Sequence, residues 1–214
     1  IASHIVKFAW LNGNGVLHYS PELSKTQQEN RNDTLIGHFN NVAMKSGELN
    51  DEDRYFNYLE KFVDNETPYI IKTMEDIEAL DVDTIEADLQ MNPNIKMVII
   101  DGFNLMSHGK GKIDRNSMTQ TSRRLLNLFA QKQVVGIVVH QVNASEEKEN
   151  KKKAENMESP MPKPASIMGY SETIAVVQDA CTILSYDAVD GQAQIFIAKC
   201  RGTGKEKTVD LNVN

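Results

Sequence analysis

Residues 96–104 read KMVIIDGFN, an unbroken apolar run from Met97 to Ile100 that ends in Asp101. A strand with one face in water alternates apolar and polar residues. A run without polar members is the pattern of a strand buried on both faces, as in a parallel sheet covered by helices. VVGIVV at 134–139 has the same character. Between the two runs, Met118, Leu125, Leu126 and Phe129 fall on one side of a helix predicted over 116–132. Buried strand, amphipathic helix and buried strand in succession predict an α/β fold with a mostly parallel central sheet.

The pattern continues on both sides of this unit. GVLHYS at 15–20 reads as a strand, YIIK at 69–72 as a short one, and VDTIEADLQM at 82–91 as a helix before Pro93. Ser24 and Gln27 have the spacing of a capping box, which opens a helix predicted over 24–44. A second helix over 50–65 is acidic at its start, as the helix dipole favours. The opening residues IASHIVKFAW put Ile1, Ile5, Phe8 and Ala9 at helical spacing, which predicts that this face is buried. A start inside a helix, without an initiator Met, predicts further chain upstream. Toward the C-terminus CTILSY, QIFIAK and KTVDLNV read as strands, the last two as a hairpin.

The 214 residues are read as a single domain. A net charge of −7 supplies no global field toward nucleic acid, so such binding needs local basic patches. Cys181 and Cys200 are expected to be buried free thiols in a reducing cytoplasm. No transmembrane run or signal peptide is evident, so no membrane association is expected. Residues 143–166 are polar, charged and punctuated by proline, the composition of a long loop; such loops are commonly functional or mobile.

In an open α/β sheet, ligands bind at the C-terminal strand ends. Three polar side chains fall there. Asp101 could hold Mg²⁺, although turns after strands also favour Asp. Glu22 could polarise an attacking water, although a solvated glutamate ahead of a helix is the simpler reading. Gln141 could sense a terminal phosphate, or be a satisfied polar residue at a strand end. Their convergence on one sheet edge outweighs the separate simpler readings. A fourth signal, Gly204-Lys205 in AKCRGTGKEKT (198–208), does not make a phosphate-cradling loop. That loop needs G-x-x-x-x-G-K-[ST], whereas Lys199 stands five before Gly204 and Glu206 follows Lys205.

Six segments, in order, resemble the C-terminal motor domain of DnaB-type replicative DNA helicases. They are YSPELSKTQQENR, KSGELNDED, VIIDGFNLM, SRRLLNLFAQKQVVGIVVHQVN, QDACTILSY and IAKCRGTGKEKTVDL. The resemblance spans the chain almost end to end and implies a RecA-like P-loop NTPase core with C-terminal antiparallel strands. It further implies ATP-dependent 5′–3′ helicase activity with ATP and Mg²⁺ as cofactors. Asp101 would be the Walker B carboxylate, Glu22 the catalytic base and Gln141 the γ-phosphate sensor. Lys199 and Arg201 would be basic fingers reaching the triphosphate of a neighbouring subunit in a homo-oligomeric, hexameric ring. Single-stranded DNA would contact the 143–171 loop, including Lys151, Lys152 and Lys153, together with Glu172 and the 108–115 segment. A helicase loader and primase would be further partners.

The family's phosphate loop would stand immediately before Ile1, so the chain as written is not expected to bind ATP. Ser171 and Ile174 replace a family arginine and glycine, Cys181 an aspartate and Gly102 a tyrosine. Two rival readings follow: another RecA-like ATPase of recombination or clock type, and a catalytically degenerate RecA-like ring subunit or loader partner.

Overall fold

The computed structural model describes residues 1–107, 115–141, 161–166, 174–189, 191–202 and 207–212. The chain forms two compact units. One is Ile1–Gly109 with Asn127–His140; the other is Lys110–Leu126 with Gln141–Asn214.

The first unit is built on a four-stranded parallel sheet. Its strands are β1 (Gly15–Tyr19), β2 (Tyr69–Lys72), β3 (Ile95–Asp101) and β4 (Val135–Val139), in the order β2-β1-β3-β4. Helices α1 (Ala2–Leu11), α2 (Lys25–Gly37), α3 (Asn41–Ser46), α4 (Glu52–Val63) and α5 (Val82–Met91) belong to it. Helix α6 (Arg115–Lys132) runs from the second unit into the first. All five residues of β1 are buried, and Val98, Ile99 and Ile100 of β3 are wholly buried, as an unbroken apolar run requires. Strand β4 departs from expectation: none of its residues is fully buried and Val135 is 56% exposed. It lies at an edge of this sheet with β3 as its neighbour. The apolar run was right about the strand and wrong about burial on both faces.

Helix α1 buries Val6 and Trp10, whereas Phe8 is 65% exposed and Ile1 is also exposed. The buried face is therefore rotated from the predicted one. Trp10 accounts for this. It stacks on Phe62 at 4.5 Å, and its indole N–H donates to the Thr67 carbonyl at 2.9 Å. No other position of the helix offers as much apolar area together with a satisfied donor. Val6, Trp10, Val16 and Ile99 form the core cluster there.

The helix expected over 24–44 is two helices. His38 adopts a left-handed conformation, and Asn40 accepts from the backbone N–H groups of Val42 and Ala43 to cap α3. Phe39 folds back over Gly37, where a Cβ would stand 2.4 Å from its ring, and packs edge-on against Tyr55 and Tyr58. Burying that ring breaks the helix. In α6, Met118 and Leu125 are buried as expected, but Leu128 takes the inward position assigned to Leu126.

The second unit holds helix α7 (Ile174–Asp179) and an antiparallel sheet of β5 (Thr182–Val189), β6 (Gln192–Cys200) and β7 (Lys207–Asn212), in that order. The two predicted C-terminal strands pair antiparallel, with Ile197 opposite Lys207. Gly204 and Lys205 lie outside the described residues. Both cysteines are free, but Cys181 is exposed and Cys200 half-buried. Each stands at a strand terminus, where the pleat no longer encloses the side chain.

His18 is wholly buried in β1, and its Nδ1 lies 3.5 Å from the Tyr69 hydroxyl. Burial, and secondarily the Arg31 charge, lowers its pKa from 6.5 to about 4. The unfolded chain therefore takes the proton first. The neutral imidazole's contribution to stability is complete above pH 6.5 and is lost as pH falls toward 4. The depth is on the order of 3 kcal/mol. Urea unfolding at pH 7 and pH 4 should show this loss, reduced in His18→Gln. An equal pH dependence in both proteins would remove His18 as the cause.

Candidate functional site

Strands β1 and β3 are parallel with Tyr19 opposite Ile100, and β3 places Asp101 opposite Val139 of β4. Ser20 and Asp101 consequently leave the sheet at the same, C-terminal edge. Parallel sheets bind ligands at this edge, because the loops there diverge and leave a crevice.

The first loop, 20–24, carries Glu22, whose side chain is exposed. Both its ends are anchored. The Ser20 N–H donates to the Lys72 carbonyl at 2.9 Å. Ser24 caps α2: its Oγ accepts from the Gln27 N–H at 3.3 Å, and its own N–H donates to Gln27 Oε1 at 3.1 Å. The predicted capping box is therefore present.

The second loop begins at Gly102, with φ 129°, a backbone conformation that side chains disfavour. A Cβ there would stand 3.2 Å from Leu105 Cδ1 and 3.4 Å from Pro21 Cγ. Glycine thus lets the loop of Glu22 lie directly against the residue that follows Asp101. Phe103 is buried and meets the His140 ring edge-on at 6.0 Å. Gln141 follows His140 in the chain and is exposed.

Beneath this edge lies an ionic group that sequence reasoning did not find. Asp88 of α5 is buried; its Oδ1 pairs with Lys72 Nζ at 2.6 Å and its Oδ2 accepts from the Tyr19 hydroxyl at 2.6 Å. Burial, and then the Asp88 carboxylate, push the Tyr19 phenol well above its ordinary range, so it remains a donor. The triad ties α5 to β1 and β2. Its signal was an acid three residues from Ile85 and next to Leu89, on the buried face of a helix.

In the second unit Lys199 and Arg201 both engage the C-terminal end of α7. Lys199 Nζ donates to the carbonyls of Val177 and Gln178, and an Arg201 Nη donates to that of Gln178. Cations favour this end of a helix, where carbonyls lack intrahelical partners. Burial and the nearby Arg201 charge lower the Lys199 pKa. Asp179, the last residue of α7, is held in turn by Arg123 Nε at 2.6 Å and Ser122 Oγ at 2.7 Å. Lys151, Lys152, Lys153 and Glu172 lie outside the described residues.

No curated protein matches the sequence. Among solved structures, one described as an ATPase domain superposes with a TM-score of 0.79 at 20% identity, covering 99% of this chain and 75% of that one. Another, described as a DnaB-like replicative helicase and its interactions with primase, superposes with a TM-score of 0.74 at 20% identity. It covers 94% of this chain, which spans half of that relative's length. These likenesses show a RecA-like fold, with a parallel sheet and helices in one unit and an antiparallel sheet in the other. The family described as DnaB-like helicase C-terminal domain matches residues 1–214, and the chain belongs to it.

Proposed function

We propose that the chain is the motor domain of a ring-forming replicative DNA helicase, which couples ATP hydrolysis to 5′–3′ movement along single-stranded DNA. The observation that carries this reading is the closeness of Pro21 to Gly102, where a Cβ would stand 3.4 Å from Pro21 Cγ, so that the loops of Glu22 and Asp101 lie side by side at the sheet edge. Glu22 takes the proton of the attacking water. It is exposed at the loop tip while both loop ends are anchored, as a general base must be accessible and held. Gln141 orients toward the terminal phosphate. Lys199 and Arg201 neutralise phosphates bound by a neighbouring subunit of a hexamer.

Asp101 holds Mg²⁺. Among the described residues no three His, Cys, Asp or Glu side chains group as a metal site. A lone strand-end carboxylate fits Mg²⁺, which keeps waters and draws its other ligands from phosphates. The ion, when bound, neutralises charge on the transferring phosphoryl group.

Among the described residues no helix is long and apolar enough to cross a membrane. We place the protein in the cytoplasm, with a helicase loader and primase as partners.

The test uses a polypeptide in which a phosphate-binding loop precedes Ile1. Single-stranded DNA should stimulate its ATP hydrolysis, and it should displace a paired strand. DNA-stimulated hydrolysis without strand displacement would favour a recombination-type ATPase, hydrolysis without DNA stimulation a clock-type one, and no hydrolysis a degenerate ring subunit. Replacing Lys151, Lys152 and Lys153 by alanine should weaken DNA binding and flatten its salt dependence, since fewer counterions are released. An unchanged slope of log affinity against log salt would show that these lysines, flanked by Glu147, Glu149 and Glu155, remain solvated.

A further inference from the structure

We propose that Gln28, buried beneath the loop of Glu22, is a positioning residue that sets the place of Glu22. The proposal rests on the reading of Glu22 as the base.

The loop of Glu22 is suspended between two supports. At one end Ser20 is fixed to the sheet through Lys72; at the other Ser24 is fixed to the first turn of α2 through Gln27. What the loop spans depends on how α2 sits against β1. Gln28 sets that. Its Oε1 accepts from Ser20 Oγ at 3.3 Å, and its Nε2 donates to Asn32 Oδ1 at 3.3 Å. Adjacent glutamines thus do complementary work: Gln27 ties the loop to the helix and Gln28 ties the helix to the strand. Pro21 lies near Gly102, where a Cβ would come within 3.4 Å of its ring.

Gln28 is fully buried and Asn32 and Ser20 nearly so. The buried face of an amphipathic helix would ordinarily carry leucine at such a position, and burying an amide there costs free energy that its hydrogen bonds barely offset. The seam ends near the Tyr69 hydroxyl, which lies 3.5 Å from His18 Nδ1, while Asn32 Nδ2 and His18 Nε2 are buried without a hydrogen-bond partner among the described residues. The two bonds of Gln28 favour one arrangement of strand and helix, because a slip would leave its buried amide and the Ser20 hydroxyl without partners as well.

Two variants test this in the polypeptide with a phosphate-binding loop ahead of Ile1. Gln28→Met keeps the length of the side chain and removes both bonds. Expected is a fall in kcat of about ten- to a hundredfold, the scale for displacing a catalytic group by about 1 Å, with the KM for ATP within about twofold. Gln28→Glu gives a readout that a merely structural role would not move. As the neutral acid, Glu at 28 accepts from Ser20 and donates to Asn32, as the amide does. Ionised, it loses the donor.

Burial raises its pKa, the exposed Arg31 opposes this weakly, and the neutral His18 and Tyr69 add no charge. Its kcat should approach that of the parent protein at low pH and fall as pH rises, on a limb the parent lacks. If Gln28→Met does not fold, this limb decides. Lowered thermal stability with kcat within twofold of the parent, or no added limb in Gln28→Glu, would overturn the proposal. Glu22→Gln in the same assay separates the two readings. If it abolishes turnover while both Gln28 variants match the parent, only the positioning role fails. If Glu22→Gln is itself inert, the base assignment fails and the positioning role with it.

Discussion

Glu22→Gln should lower ATP turnover about a hundredfold or more, the scale for loss of a general base, while ATP affinity stays within about twofold. The amide has the volume of the carboxylate but cannot take a proton from water. Its loop should keep its place, because the anchors at its two ends, Ser20 on Lys72 and Ser24 on Gln27, do not involve the substituted group. The substitution therefore changes chemistry and leaves geometry. Steady-state hydrolysis and equilibrium titration with a fluorescent nucleotide, on a polypeptide with a phosphate-binding loop ahead of Ile1, separate turnover from binding. Turnover within a factor of two of the parent would end the assignment of Glu22.

The features legible in the sequence are those a short window determines. KMVII declares a buried strand because no polar residue interrupts it, and Ser24 with Gln27 declares a helix start because the bonds close within three residues. The strand order then brings Glu22 and Asp101 to one edge. Features that depend on what lies across the sheet were hidden. VVGIVV cannot reveal that, among the described residues, β4 has a neighbour on one side only. The spacing of Ile1, Ile5 and Phe8 is genuinely helical, but Trp10 decides which face turns inward. The break after Gly37 follows from Phe39 finding Tyr55 and Tyr58, sixteen or more positions away in the chain. Gly102 stood out only as a departure from the family. Its meaning came from Pro21, which no local pattern places beside it. Lys199 and Arg201 were read as cations free to reach outward, and their engagement of the α7 carbonyls is a tertiary contact across more than twenty residues.

That engagement sharpens what Arg201 should do. Its backbone N–H donates to the Cys181 carbonyl at 2.8 Å, and one Nη holds the Gln178 carbonyl. The residue is exposed, and the bond to Gln178 uses one of the five donors of a guanidinium. Arg201 is thereby aimed from a fixed base with donors to spare, whereas Lys199 spends two of its three on Val177 and Gln178. Arg201 should therefore carry the larger share of stabilising a neighbour's phosphates, and Arg201→Ala should lower hydrolysis by about 10³–10⁵, the range for fingers acting in trans. Arg201→Lys should not restore it, because an ammonium cannot bind α7 and two phosphate oxygens in the same planar geometry. Mixing subunits tests whether the finger crosses the interface. Arg201→Ala and Glu22→Gln rings, each inactive alone, should regain activity when co-assembled, since some sites then pair an intact Glu22 with an intact Arg201 from the next chain. If Arg201 served its own subunit, each chain would keep its own defect and no mixture would recover. Absence of recovery, with co-assembly demonstrated separately, would leave Arg201 as the cap of α7 and nothing more.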